Sequence, residues 1–175
     1  MITYNSTNEV VTTLRQIIRA IDLQSKKLIK KYGLTLPQLI LLNEIKKNPE
    51  QPISRISKQI SLSQATVTSI LNRLEKQGFV VRERGKEDKR KVYTYITEKA
   101  ETILKNKPQL LQDSFSREFE KLEKWEKNMI LAAIQRLSSM MNADDIESPP
   151  ILAIGPLEAS PAEVKSFLEN EKNNL

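Results

Sequence analysis

SQATVTSILNRLEKQGFV, running from Ser63 to Val80, is the stretch that decides how the rest of the chain is read. Val67, Ile70, Leu71 and Leu74 recur at i, i+3, i+4 and i+7, the spacing of a single apolar stripe on an α-helix. Ser63 offers an N-cap oxygen before the stripe, and Gly78 offers a left-handed stop after it. With the stripe turned inward, the outer face carries Gln64, Ala65, Thr68, Ser69 and Asn72, with no large apolar side chain among them. Such a face suits a major groove, where Gln and Asn pair with adenine edges and Ala or Thr meets a thymine methyl. Thr66 and Arg73 belong to the same candidate reading helix.

Beyond Gly78 the period changes from helical to strand-like. Phe79 to Arg84 and Val92 to Ile96 are rich in β-branched and aromatic residues, and Gly85 to Lys91 between them holds a glycine and six charged side chains. This predicts a β-hairpin with a basic tip. Arg82, Arg84, Lys86, Lys89, Arg90 and Lys91 are then the candidate cations for phosphates or for a neighbouring minor groove.

In the other direction, Ser61 to Ser63 reads as a tight turn, and Ile53, Ile56 and Ile60 mark a short helix before it. Thr35 and Gln38 form a capping-box pattern with Pro37 in the first turn, opening a helix to Lys47 through Leu39, Leu42 and Ile45. Val11, Leu14, Ile18, Ile21, Leu28 and Ile29 give an amphipathic helix over Asn8 to Lys31, stopped by Gly33. After the hairpin Thr97 caps a return to helix, which Pro108 should kink, and a last helix covers Glu123 to Met141. Two short helices, a tight turn and a basic hairpin make a winged helix-turn-helix over 35–97. The predicted fold is mainly α with a small β-hairpin wing, flanked by dimerisation helices over 8–31 and 98–141.

Composition narrows the function classes. The 175 residues include no Cys and no His, which removes disulfides, thiol nucleophiles, imidazole ligands and the commonest general base. No phosphate-cradling Gly-rich loop is present, so no cofactor or metal and no catalysis is expected. Met1 to Val11 lacks a basic start and no apolar run is long enough for a membrane span, which predicts a cytoplasmic protein without a membrane partner. The net charge is +6, but it is divided unevenly. Ile53 to Lys91 holds ten basic against four acidic side chains, while Asn142 to Leu175 holds seven acidic against two basic. A clustered surplus of positive charge points to an anionic partner.

The run from Ser63 to Val80, the segment Leu34-Thr-Leu-Pro-Gln-Leu39 and the wing pattern Asp88-Lys-Arg90 before Val92 to Thr97 resemble the MarR family of bacterial transcription regulators. Gly85 and Lys86 depart from the Asp-Pro that the family often has before its wing tip. The resemblance implies that Arg90 enters a minor groove, that Asp88 holds it or the wing in place, and that two recognition helices read a pseudo-palindromic duplex. It further implies an obligate homodimer through Leu14, Ile18, Ile21, Ile130, Ile134 and Leu137, and a small-molecule effector near Tyr32, Leu39 and Phe115 to Phe119. Independently, the long amphipathic segments need each other or a second chain to cover their apolar faces. A winged-helix module for protein or RNA is the competing reading, distinguished from operator binding by salt-insensitive association.

The arm over 142–175 is too apolar for a solvating tail, with Ile151, Leu152, Ile154, Leu157, Val164, Phe167 and Leu168. It is expected to dock on the dimerisation helices, reaching across to the partner subunit, with Val164, Phe167 and Leu168 as its apolar face. With its Ser-Pro-Pro and Gly-Pro segments it looks like a subgroup of the family associated with genes for compatible solutes such as ectoine and glycine betaine.

Overall fold

The computed structural model describes residues 6–85, 92–106, 108–146, 148–153 and 157–166. The described elements run α1 (Ser6–Tyr32), α2 (Leu36–Lys47), α3 (Ile53–Gln59), α4 (Gln64–Lys76), β1 (Val80–Arg84), β2 (Val92–Ile96), α5 (Glu98–Lys105), α6 (Leu111–Glu120) and α7 (Lys124–Met140). They fall into two compact units, 1–108 with 152–175 and, separately, 109–151.

The core of the first unit is built around α2. Leu36, Leu39, Leu41, Leu42 and Ile45 are buried on it, and the stripe of α4, Val67, Ile70, Leu71 and Leu74, is buried with Ile56, Phe79 and Val80. Gln38 is a polar side chain buried in this core: its Oε1 accepts the Thr35 N–H at 2.9 Å, the reciprocal arm of the capping box. The strands pair antiparallel from Val80↔Ile96 to Arg84↔Val92, and Thr94, opposite Arg82, is buried.

Three helices end in the same cap. After α4, Gly78 is left-handed (φ 72°), with the Phe79 N–H on the Leu74 carbonyl at 2.8 Å and the Gly78 N–H on the Glu75 carbonyl at 2.9 Å. After α3, Ser61 takes the same place (φ 54°), with Leu62 N–H on Ser57 O at 2.9 Å. After α7 it is Asn142 (φ 53°), with Ala143 N–H on Ser138 O at 3.0 Å. These are Schellman caps, and they prefer glycine because a Cβ is disfavoured in the left-handed region. The turn between α3 and α4 was legible as a tight turn; that Ser61 carries the left-handed residue was not.

Two expectations need correction. Pro108 does not kink a continuous helix: α5 ends at Lys105 and α6 begins at Leu111. Proline disfavours the helical region for the residue before it and removes a backbone donor, so with no long buried stripe to hold the segment the helix breaks. The first strand begins at Val80 rather than Phe79, because the Phe79 N–H belongs to the α4 cap.

In the second unit α6 and α7 are joined by a short corner at Lys121 to Glu123, where Glu126 Oε2 accepts the Glu123 N–H at 2.8 Å and Lys127 Nζ reaches Glu120 Oε2 at 3.0 Å. Neither helix has a buried residue. Among the described residues, no helix is long and apolar enough to cross a membrane.

The caps make a direct stability test. Ser61→Gly should raise stability by about 1 kcal/mol and Gly78→Ala should lower it by about the same amount, since a left-handed residue carries that order of cost when it has a Cβ. A Cβ at Gly78 would meet nothing within 4 Å, so the loss would be conformational and not steric. Thermal unfolding of the two variants measures both signs.

Candidate nucleic-acid interface

The cap of α4 also sets the base of the wing. Thr97, the N-cap of α5, donates its hydroxyl to the Gly78 carbonyl at 2.8 Å, and its N–H goes to the Phe79 carbonyl at 3.0 Å. Thr97 Oγ1 also accepts the Ala100 N–H at 3.4 Å, and Lys99 Nζ reaches the Gln77 carbonyl at 2.8 Å while lying 4.2 Å from the centre of the Phe79 ring. The end of α4, the root of the hairpin and the start of α5 are thereby joined at one point. Sequence reading assigned Thr97 only the cap; its bond back across to Gly78 has no local signal.

Of the side chains expected to face outward on α4, not all are fully exposed. Ser63, Gln64, Ala65 and Asn72 are exposed, and Thr66, Thr68, Ser69 and Arg73 are half-buried. Ser63 Oγ caps the helix by accepting the Thr66 N–H at 3.0 Å. Thr68 donates its hydroxyl to the Gln64 carbonyl at 2.7 Å, so its polar group is satisfied within the helix and its methyl is the group left for contact.

Arg82 does not stand free for a phosphate. Its Nη2 donates to Asn72 Oδ1 at 2.7 Å and its Nε lies 3.6 Å from Glu75 Oε2. The wing therefore orients a candidate base-reading amide: Asn72 keeps one lone pair on Oδ1 and both Nδ2 hydrogens for a partner. No local signal in the sequence marks the Arg82–Asn72 bond, because it joins two different elements. Arg84 is exposed at the last strand pair before the tip. Lys86, Asp88, Lys89, Arg90 and Lys91 lie outside the described residues.

Of the candidate dimerisation residues, Ile18, Ile130 and Ile134 are exposed, and Leu14, Ile21 and Leu137 are half-buried. They sit in long apolar faces that include Ile17, Leu23, Trp125, Met129 and Leu131, each exposed. Of the residues proposed near an effector, Leu39 is fully buried core, Tyr32 is half-buried, and Phe115 and Phe119 stack along α6 with ring centres 5.4 Å apart.

The acidic arm reaches α4. Glu158 Oε1 accepts from Thr66 Oγ1 at 3.2 Å, and the Glu163 carboxylate pairs with the Arg73 guanidinium. Ala159 and Val164 are buried, packed against Ile29 of α1. The arm thus packs on Ile29 of α1 in the same chain, while its charged side lies on α4; Phe167 and Leu168, expected on its apolar face, are outside the described residues. Hydrogen bonds from the Ser160 side chain and backbone, then from Arg73, hold the Glu163 carboxyl at about 2, well below the ordinary carboxylate range.

The MarR family profile matches residues 34–92, from the residue before the α2 cap to the first residue of β2. Over 100 residues the chain is 31% identical to the organic hydroperoxide resistance transcriptional regulator of Bacillus subtilis (strain 168), covering 57% of this chain and 67% of that protein. The chain belongs to the MarR family. It is also 34% identical over 79 residues to the HTH-type transcriptional regulator MgrA of Staphylococcus aureus, covering 45% of this chain and 54% of MgrA, so the match spans about half the length of that relative. Among solved MarR-like folds, a mutant of Lactococcus lactis ZitR superposes with a TM-score of 0.58 at 20% identity, over 78% of this chain and 98% of that one. Streptococcus pneumoniae FabT in complex with DNA gives 0.50 at 20% identity, over 79% and 97%. At such identities these two establish the MarR-type winged-helix fold alone.

The lowered carboxyl makes a prediction with a definite sign. Because the value is depressed in the folded chain, the contribution of the ionised Glu163 is complete above the ordinary carboxylate value of 4.5 and is lost as pH falls toward about 2. An NMR titration should place the Glu163 midpoint at about 2 and show it raised in Ser160→Ala and in Arg73→Ala. An ordinary midpoint in the intact chain would remove the contact.

Proposed function

We propose that this chain is a homodimeric, sequence-specific DNA-binding transcriptional regulator of the cytoplasm, and that it acts as a repressor relieved by a small-molecule or stress signal. The observation that carries this reading is the outer face of α4. Its small and amide side chains are presented on a helix whose large apolar residues are all inward, and one of those amides is oriented by the wing through Arg82. Nothing in that face needs a protein partner for burial, and its donor and acceptor set matches base edges. The family match over the same segment supports it, as does the fold shared with FabT, which was solved with DNA.

Phosphate contacts would come from Arg84 and from the charged tip that holds Arg90, which the family resemblance implies as the minor-groove arginine. The dimer reading rests on the apolar faces of α1 and of the α6–α7 unit. The latter has no buried residue among α6 and α7, so those helices have no core of their own to hold them. Two copies related by a two-fold axis would place two α4 helices on one face, as a pseudo-palindrome requires. For target genes, the arm's resemblance supports compatible-solute genes, and transcript levels of such genes in a strain lacking this regulator test that assignment.

Selection from a pool of randomised duplexes should return a pseudo-palindrome. Asn72→Ala should relax preference at one position in each half-site, whereas Arg84→Ala should weaken binding evenly and lower the salt slope by about one. Arg90→Ala should cost about 1 to 3 kcal/mol of binding with helicity intact. Enrichment of no sequence, with salt-insensitive capture of protein instead, would favour an interaction module.

Sedimentation tests the dimer without DNA. The intact chain should run as a dimer at micromolar concentration. Ile18→Glu or Ile134→Glu should shift it to monomer, because each would place an unpaired charge in an apolar seam. A monomeric wild type would overturn the dimer.

A further inference from the structure

The carboxylates of the arm lie where a DNA-binding helix would meet phosphates. Thr66 and Arg73 are seven residues apart, two turns along α4 on one flank, and each is taken by an acidic side chain from the segment 157–166. Thr66 and Arg73 both belong to the candidate reading helix, and among the described residues Arg73 is one of the two cations on it, with Lys76. A carboxylate seated on a guanidinium occupies the donor fork that a phosphate oxygen would use, and it repels any phosphate brought to the same place.

The docking is not a chance crossing of two charges. Ala159 and Val164 bury themselves against Ile29, and Ala153 and Val164 line one small cleft with Ile29, Leu36 and Pro37 at the α1–α2 corner. Glu163 is tied to Ser160 at the start of the helical residues 161–166, so its carboxylate is held in place before it meets Arg73. An apolar anchor on one side and two acidic contacts on the other fix the segment over one flank of α4. Gln64, Ala65 and Asn72 on the remaining faces stay exposed.

We propose that the acidic C-terminal segment is an intramolecular competitor of DNA: Glu158 and Glu163 stand in for phosphates on Thr66 and Arg73, and the segment must leave α4 before a duplex can seat fully. The proposal rests on the DNA-binding reading above. The contacts suit a reversible device. Exposed ion pairs are individually weak and screened by salt, so a polyanion that engages many cations at once displaces them. Docking of the arm lowers the apparent affinity by the fraction of molecules in which α4 is uncovered.

The test compares the full-length chain with two double variants of equal charge change, E158Q/E163Q and D144N/D145N, on a duplex recovered by selection with the wild type. If the segment covers α4 nine-tenths of the time, E158Q/E163Q should bind about tenfold tighter than wild type. D144N/D145N should stay near wild type, and the gap should narrow as salt is raised. Gln at position 163 keeps the reciprocal bond to the Ser160 N–H, so the arm helix is not disturbed by the change. Hydrogen exchange should show residues 157–166 protected in the free protein and released on adding the duplex. Equal affinities for E158Q/E163Q and wild type, equal tightening in both double variants, or protection unchanged by the duplex would each overturn the proposal. A wild type that retains no duplex from the pool would overturn the DNA-binding reading and this inference together, an outcome distinct from the others.

Discussion

The junction of Gly78 and Thr97 is the constraint on which the candidate interface depends. A helix can stop at many places, but a wing must leave its end in one direction and return beside it. The left-handed Gly78 turns the chain out of α4, and the Thr97 hydroxyl and N–H fasten the returning strand to the Gly78 and Phe79 carbonyls. The carbonyls at the end of α4 are met at the same place, by the Phe79 N–H on Leu74, the Gly78 N–H on Glu75 and Lys99 Nζ on Gln77. Because the root is fixed, Arg82 on β1 lies within reach of Asn72 on α4, and β1 and α4 share one surface. The buried stripe of α4 then decides which face that surface presents.

Much of this was legible because it is local. The stripe from Val67 to Leu74, the caps at Thr35, Ser63 and Thr97, the stops at Gly33 and Gly78 and the switch to strand period are each written within a few residues, and the structure reproduces them. The family resemblance at the same segment is matched by the MarR profile. What was not legible depends on distance in sequence. The Arg82–Asn72 bond joins residues ten apart on different elements, and Arg73–Glu163 joins residues ninety apart. No period or spacing marks either pair. Pro108 was visible, but whether a proline kinks or breaks a helix depends on how much buried surface holds the two halves together, which the local pattern does not contain.

The uneven charge of the chain acquires a structural meaning. A basic middle and an acidic end read in sequence as regions with different jobs; in the fold two of the end's carboxylates lie on α4 of the middle. The arm's apolar residues place it and its acids act at the place where it is put. In the opposite sense, the apolar faces of α1, α6 and α7 carry side chains that nothing in their own unit buries. α4 is covered along one flank by the chain's own arm, and the proposed dimer would cover these apolar faces.

Chemical interference on the selected duplex tests the central claim that α4 reads bases while the wing follows the backbone. Replacing adenine by 7-deazaadenine or thymine by uracil removes the major-groove N7 or methyl that α4 is expected to meet, and methylation of adenine N3 by dimethyl sulfate marks the minor groove beside the wing. The expected pattern is two clusters of interference from the base analogues centred about 10 base pairs apart, one for each α4, with adenine N3 interference flanking each cluster where a wing lies. Binding unaffected by the analogues anywhere in the duplex would contradict the assignment of α4 as the reading helix.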